Sequence, residues 1–246
     1  MKDLNYIFIG NPNAQHLIIF LHEGLGYIEQ WKHFTMQVCT ENDCYGLVYD
    51  RSGYGKSPGN LLNRTTHYLH EAADELAGII AEIQKEYKII LYGHSDGGSI
   101  ALIHAALFPT HIKAIITEAA HVIVEEETIS GVKAAQAPFL DGKFNGLKKY
   151  HGSRFTEVFL AWNTIWQTSA FATWSITDLL PKITCPQLII QGDADEYGTI
   201  KQVELIESLT AGRSIRFIAK NCGHAPHKEM EKETLIHIKV FLNELN

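Results

Sequence analysis

Ser95 stands between two glycines in the segment GHSDGG, directly after the apolar run KIILY. A serine hydroxyl can attack a carbonyl carbon when a neighbouring base removes its proton. Gly93 and Gly97 lie two positions to either side, where larger side chains would collide in a sharp strand-to-helix turn. The spacing therefore predicts a strained turn that exposes Ser95. The helix that follows is expected to offer the free N–H group of Asp96 to an oxyanion.

A nucleophilic serine needs a base, and the base needs a group that fixes its tautomer. Candidates for both follow later apolar runs: GDADEYG contains Asp193 and Asp195, and NCGHAPH contains His224 and His227. Glu118, which ends the run KAIITE, is a further candidate acid. Serine, acid and histidine in this order predict acyl transfer through a covalent intermediate.

The elements that must position these residues are visible as short apolar runs rich in β-branched residues. Such runs predict strands that are buried on both faces. They span residues 16–22, 45–50, 88–94, 113–119, 186–192 and 214–219. Segments with helical periodicity span residues 66–87, 98–108 and 232–245. This alternation predicts an α/β fold with a mostly parallel central sheet flanked by helices.

The alternation breaks at about residues 121–182, a stretch rich in aromatic residues and glycine. Because strands on both sides are needed to complete the sheet, we interpret this stretch as a helical cap insertion. Trp162 and Trp166 would share one face of a helix there. We assign both to substrate binding, with Phe171 and Trp174 as further walls of an apolar acyl pocket. The alternative is that these aromatic residues form an ordinary cap core.

The composition argues against several functional classes. The 246 residues carry a net charge of −7, with 46% apolar and 20% charged residues. A chain of this kind has no basic stripe for nucleic acid. No apolar run is long enough to span a bilayer, and the first residues lack the pattern of a signal peptide. We therefore expect one domain, residues 1–246, in a cytoplasmic protein with neither nucleic acid nor membrane as a partner.

Five segments in order resemble motifs of the α/β-hydrolase family: LHEGLG, YDRSGYGKS, GHSDGG, GDADEYG and GHAPH. The resemblance covers nearly the whole chain. It implies the α/β-hydrolase fold and a serine carboxylesterase-like enzyme that cleaves a small-molecule ester or related acyl substrate. The catalytic residues would be Ser95, His224 and Asp195, the last in the family's Gly-x-x-Asp pattern. Asp193 would be a turn residue, and no metal or organic cofactor would be required.

The loop after the first predicted strand departs from the family pattern. Relatives usually read His-Gly-x there, whereas this chain reads His22-Glu23-Gly24. The resemblance implies that His22 braces the loop and that the loop gives the second oxyanion donor, which we assign to the N–H group of Gly24. A different register of residues 24–26 is the alternative. Glu23, in place of the glycine, is assigned to substrate binding together with His121.

Other functions of this fold stay open at this point. A carbon–carbon bond hydrolase or a lactonase would use the same triad, and a ligand receptor could keep the triad without turnover. A dehalogenase is disfavoured because its nucleophile is a carboxylate. His227 is expected at the wall of the site or at the surface. Its spacing from His224, beside Pro226, differs from that of a helical HExxH zinc motif, so no metal site is predicted.

Overall fold

The computed structural model describes residues 1, 3–83 and 87–245. The strands within them are β1 (Tyr6–Gly10), β2 (His16–Leu21), β3 (Tyr45–Tyr49), β4 (Lys88–His94), β5 (Ile112–Glu118), β6 (Gln187–Gly192) and β7 (Ser214–Ala219). They form one sheet in the order β1-β3-β2-β4-β5-β6-β7. Only β1 is antiparallel to its neighbour, so the mostly parallel sheet predicted from the sequence is confirmed.

The helices cover both faces of this sheet. In the described residues they are α1 (Phe34–Glu41), α2 (Tyr68–Ile83), α3 (Asp96–Leu107), α4 (Glu126–Ala134), α5 (Gln136–Leu140), α6 (Lys148–His151), α7 (Phe155–Trp166), α8 (Ile200–Leu209), α9 (Pro226–Glu229) and α10 (Glu231–Asn243). The three predicted helical segments correspond to α2, α3 and α10, although residues 84–86 of the first lie outside the described residues. None of these helices is long and apolar enough to cross a bilayer.

The central strands β2, β4, β5 and β6 are buried on both sides because successive side chains enter two different apolar layers. In β2, Leu17 and Ile19 pack in the layer that contains α2 and α3, whereas Ile18 and Phe20 pack in the layer that contains α1 and α10. Because both faces of such a strand are covered, its sequence is a continuous apolar run rather than an alternating one.

The segment between β5 and β6 carries α4, α5, α6 and α7. Helices thus occupy the stretch that the sequence marked as a helical insertion. That they form a cap on a single domain stays a prediction.

The first strand was not predicted. β1 pairs only with β3, with Tyr6 opposite Tyr49, and its residues 6, 7 and 8 are exposed by 41%, 43% and 37%. A short edge strand that buries little apolar surface gives a weak sequence pattern.

Candidate active site

Ser95 lies at the turn between β4 and α3 with backbone angles φ 55° and ψ −118°, a left-handed conformation that strains a residue with a side chain. A Cβ atom on Gly93 would lie 2.0 Å from the carbonyl oxygen of Gly97. A Cβ atom on Gly97 would lie 2.0 Å from the carbonyl oxygen of Leu21. The crowding predicted on both sides of the serine is therefore confirmed.

Three loops at the carboxyl edge of the sheet bring Ser95, His224 and Asp195 together. The hydroxyl oxygen of Ser95 lies 2.9 Å from Nε2 of His224. Nδ1 of His224 lies 2.8 and 2.9 Å from the two carboxylate oxygens of Asp195. A carboxylate only accepts hydrogen bonds, so Nδ1 carries the proton and Nε2 is free to accept from the serine hydroxyl.

Other groups hold Asp195 as a carboxylate. Gln191 donates to one carboxylate oxygen over 2.6 Å, and the N–H group of Tyr197 donates to the other over 2.8 Å. Burial opposes ionisation, but His224 and the hydrogen bond from the Tyr197 N–H group lower the pKa of Asp195. Burial likewise opposes protonation of His224, yet Asp195, and after it Glu23, raise the pKa of that histidine. The pair is therefore arranged to stabilise an imidazolium.

The other two candidate acids have different partners. Asp193 accepts a hydrogen bond of 2.6 Å from the N–H group of Asn221. Glu118 accepts from the backbone N–H and from Nδ1 of His227, over 2.9 and 2.6 Å, and from the hydroxyl of Tyr92 over 2.5 Å. The expectation that His227 lies at the site wall or the surface was wrong. It is 2% exposed, because its ring and the start of α9 are both anchored on the buried carboxylate.

One group of buried side chains beneath the site has a composition compatible with metal ligation. His94, Glu118 and His227 each place one potential ligand atom within 4.8 Å of the others. These side chains are already engaged, because His227 donates to Glu118 and Nε2 of His94 donates to the carbonyl oxygen of His224 over 2.8 Å. We assign no metal to this group and interpret it as the support of the loop that carries His224.

The two backbone N–H groups assigned to an oxyanion, those of Asp96 and Gly24, donate to no acceptor among the described residues. The carbonyl oxygen of Glu23, in the same peptide unit as the Gly24 N–H, accepts from Nδ1 of His22 over 2.8 Å and from the N–H of Gly26 over 3.1 Å. Because the C=O and N–H of a trans peptide point in opposite directions, these bonds fix the direction of the Gly24 N–H. His22 thus makes the bracing contacts that the resemblance implied.

Arg51 is a residue of the site that the sequence analysis missed. It is 3% exposed, and its Nη2 donates to the carbonyl oxygen of Glu23 over 2.8 Å and lies 3.6 Å from the carboxylate of Asp96. The hydroxyl of Tyr68 donates to the other carboxylate oxygen of Asp96 over 3.0 Å. The only signal for this role in the sequence is the position of Arg51 next to Asp50 in a motif that organises a loop.

A cavity of about 350 Å³ opens beside Ser95. The four residues assigned to substrate binding, Glu23, His121, Trp162 and Trp166, all line it. Phe171 and Trp174 are not among its walls. They stack on each other with ring centroids 5.4 Å apart, inside the apolar layer that packs against the sheet. The assignment of this pair to the wall of the acyl pocket was therefore wrong.

The polar groups of the cavity are fixed by neighbours. Nε2 of His121 donates to the carbonyl oxygen of Tyr197 over 3.0 Å, and burial lowers the pKa of this histidine. The carboxylate of Glu23 accepts a hydrogen bond from the side-chain amide of Gln30. Burial opposes ionisation of Glu23, but Lys228, His94 and His224 together lower its pKa. The cavity therefore combines apolar walls with a carboxylate near the nucleophile.

Comparisons with known proteins agree with the α/β fold of this chain. Residues 12–159, more than half of the chain, match the family described as "Serine aminopeptidase, S33". The human monoglyceride lipase is 23% identical, in an alignment that covers 92% of this chain and 80% of the lipase. The crystal structure of a bacterial membrane phospholipase A has a TM-score of 0.81 at 21% identity, covering 98% of this chain and 83% of that chain. The monoacylglycerol lipase of Paleococcus ferrophilus has a TM-score of 0.71 at 18% identity, covering 99% of both chains.

Proposed function

The chain belongs to the α/β-hydrolase family described as "Serine aminopeptidase, S33", and on that premise we propose that it hydrolyses the ester bond of a small-molecule substrate. Ser95 is the nucleophile, His224 the base and Asp195 the group that orients the base. The observation that carries the proposal is the continuous hydrogen-bonded chain from Ser95 Oγ to His224 Nε2, 2.9 Å, and from His224 Nδ1 to Asp195, 2.8 Å. Relatives named monoglyceride lipase and monoacylglycerol lipase support an ester as the substrate.

Acylation begins when Oγ of Ser95 attacks the ester carbonyl carbon and Nε2 of His224 takes the hydroxyl proton. The carbonyl oxygen becomes an oxyanion, which the N–H groups of Asp96 and Gly24 stabilise. When the tetrahedral intermediate collapses, the bond to the leaving oxygen breaks. His224 then gives its proton to that oxygen, and an alcohol departs. The product of this half-reaction is an ester between Ser95 and the acyl group.

Deacylation repeats these steps with water. His224 takes a proton from a water molecule, whose oxygen attacks the acyl carbon, and a second oxyanion forms in the same place. Collapse breaks the bond to Oγ of Ser95, and His224 returns its proton to the serine. The released carboxylic acid and the regenerated hydroxyl complete the cycle. Asp195 stays a carboxylate throughout and stabilises the imidazolium in both halves.

The cavity limits the substrate to a small acyl compound. Its volume of about 350 Å³ lies at the lower end of the range of small-molecule sites. Trp162, Trp166 and Val132 supply apolar wall for an acyl chain. We propose that the acyl group lies against these walls while the ester carbonyl lies at Ser95.

The test is covalent labelling by a fluorophosphonate, together with turnover of ester, thioester, lactone and diketone substrates. We expect labelling and multiple turnover of p-nitrophenyl acetate by the native protein, and neither by Ser95→Ala with an unchanged circular dichroism spectrum. Labelling that persists in the folded variant would refute the assignment. A single turnover without release would favour a receptor, and a preference for the diketone would favour the carbon–carbon bond hydrolase.

A further inference from the structure

Glu23 is a charged group in the cavity that the proposed mechanism does not use. It lines the same cavity as Ser95 and His224, and it precedes the glycine that is assigned as an oxyanion donor. A carboxylate beside a site where negative charge develops raises the energy of the oxyanion, although Glu23 also favours the imidazolium that forms on His224. A positive charge on the substrate would explain why a carboxylate lies at this position.

The carboxylate of Glu23 is oriented by a hydrogen bond but forms no ion pair with a lysine or arginine of the described residues. Its hydrogen-bond partner among the described side chains is the amide of Gln30, which is uncharged. Within that part of the chain, no lysine or arginine nitrogen lies within 4.0 Å of its oxygens. Lys228 lines the cavity but is exposed, so its attraction for Glu23 is screened by water.

We propose that Glu23 forms a subsite for a positively charged amine carried by the substrate close to its ester group. This inference rests on the proposed function and names its substrate class. A protonated amine donates hydrogen bonds to the carboxylate oxygen that Gln30 leaves open, and its charge balances the carboxylate while the oxyanion forms. Trp162 lines the same cavity, and tryptophan is the aromatic residue that attracts cations most strongly.

Lys228 is the competitor of such a substrate. Lys228 lines the cavity and its positive charge lowers the pKa of Glu23, so a bound amine would share this carboxylate with it. Lys228→Met removes this competition without touching the carboxylate. The subsite therefore predicts tighter binding of a cationic compound by this variant and unchanged binding of a neutral one.

The experiment compares pairs of esters that differ in charge and little in shape. On the acyl side, p-nitrophenyl 3-aminopropanoate is paired with p-nitrophenyl butanoate. On the alcohol side, 2-(dimethylammonio)ethyl acetate is paired with 3-methylbutyl acetate. We expect the native enzyme to prefer the cationic member of one pair by about tenfold or more in kcat/KM, as a charge-assisted hydrogen bond allows. The pair that shows the preference identifies the side of the ester that carries the amine.

Glu23→Gln should abolish that preference, so that the ratio of kcat/KM for the cationic ester to kcat/KM for the neutral ester falls to about one. The matched control is Glu29→Gln, which removes an exposed carboxylate that pairs with Lys56 over 3.2 Å and should keep the preference. Equal kcat/KM for both members of both pairs in the native enzyme would overturn the subsite, whether or not Glu23→Gln folds.

Binding separates the subsite from the proposed reaction. In Ser95→Ala, calorimetry with 2-(dimethylammonio)ethyl acetate and with p-nitrophenyl 3-aminopropanoate measures affinity without turnover. Cation binding that depends on Glu23, in a protein that hydrolyses no ester, would support the subsite and refute the ester hydrolase. Hydrolysis of neutral and cationic esters at equal rates would refute the subsite alone.

Discussion

Arg51 donates a hydrogen bond of 2.8 Å to the carbonyl oxygen of Glu23, and the same nitrogen lies 3.6 Å from the carboxylate of Asp96. One guanidinium thus contacts both segments that carry the proposed oxyanion donors, the Gly24 N–H and the Asp96 N–H. The ring of Tyr54 lies 4.5 Å from the guanidinium carbon and packs against it. Arg51 is not among the residues that line the cavity, so we propose that it acts as a positioning residue for the two donors.

Arg51→Met should lower kcat for p-nitrophenyl acetate by about a hundredfold or more, the effect expected when an oxyanion donor is lost. KM should change little, because the donors act mainly in the transition state. The measurement is kcat and KM, together with the affinity for a boronic acid that mimics the tetrahedral intermediate. Arg216→Met, which removes an exposed partner of Glu207, is the control and should behave like the native enzyme. A variant whose KM alone rises would show that Arg51 binds substrate.

Asp195→Asn should reduce kcat by about 10⁴, by analogy with the loss of the acid from a serine-protease triad, because the amide favours the wrong tautomer of His224. Asp193→Asn and Glu118→Gln should stay active, since their carboxylates bond to Asn221 and to His227. Steady-state rates of the three purified variants provide the comparison. A larger loss in Asp193→Asn than in Asp195→Asn would transfer the role of the orienting acid.

The pH profile should report the charge of Glu23. His224 accepts a proton only when it is neutral, and its raised pKa moves the acid limb of kcat/KM to higher pH. Glu23→Gln removes a negative charge that favours the imidazolium, so the pKa of His224 falls and the acid limb should move to lower pH. Glu196→Gln should give a smaller shift in the same direction, because Glu196 is exposed and screened by water. Profiles with neutral p-nitrophenyl acetate measure both shifts, and a shift of Glu23→Gln to higher pH would contradict the argument.

Trp162→Ala should widen the cavity and raise kcat/KM for longer acyl chains relative to acetate by about tenfold. Trp162 lines the cavity and is 9% exposed, so its removal opens space beside Ser95. Trp174→Ala is the matched control, because Trp174 lies in the apolar layer outside the cavity. We expect the control to lower the melting temperature and to leave the chain-length preference unchanged. Equal losses on all chain lengths in Trp162→Ala would show that this ring only stabilises the cap.

The residues that sequence analysis identified are those whose role depends on local chain geometry. Ser95 needs two glycines beside it, and Asp195 and His224 each follow an apolar run that predicts a strand, so short sequence patterns identify these residues. The contacts of Arg51 with Glu23 and Asp96 join three separate loops, and no local pattern specifies them. The burial of His227 depends on the carboxylate of Glu118, 109 positions earlier, and no local pattern specifies this contact either.

The contact between Ser95 and His224 spans 129 positions of the chain, and it depends on two strands, β6 and β7, that follow the nucleophile in sequence. Closing so long a loop costs conformational entropy that only the completed sheet repays. A chain in which β6 or β7 has not docked lacks the base for the Ser95 hydroxyl. The serine therefore becomes a nucleophile only in a chain whose sheet includes β6 and β7.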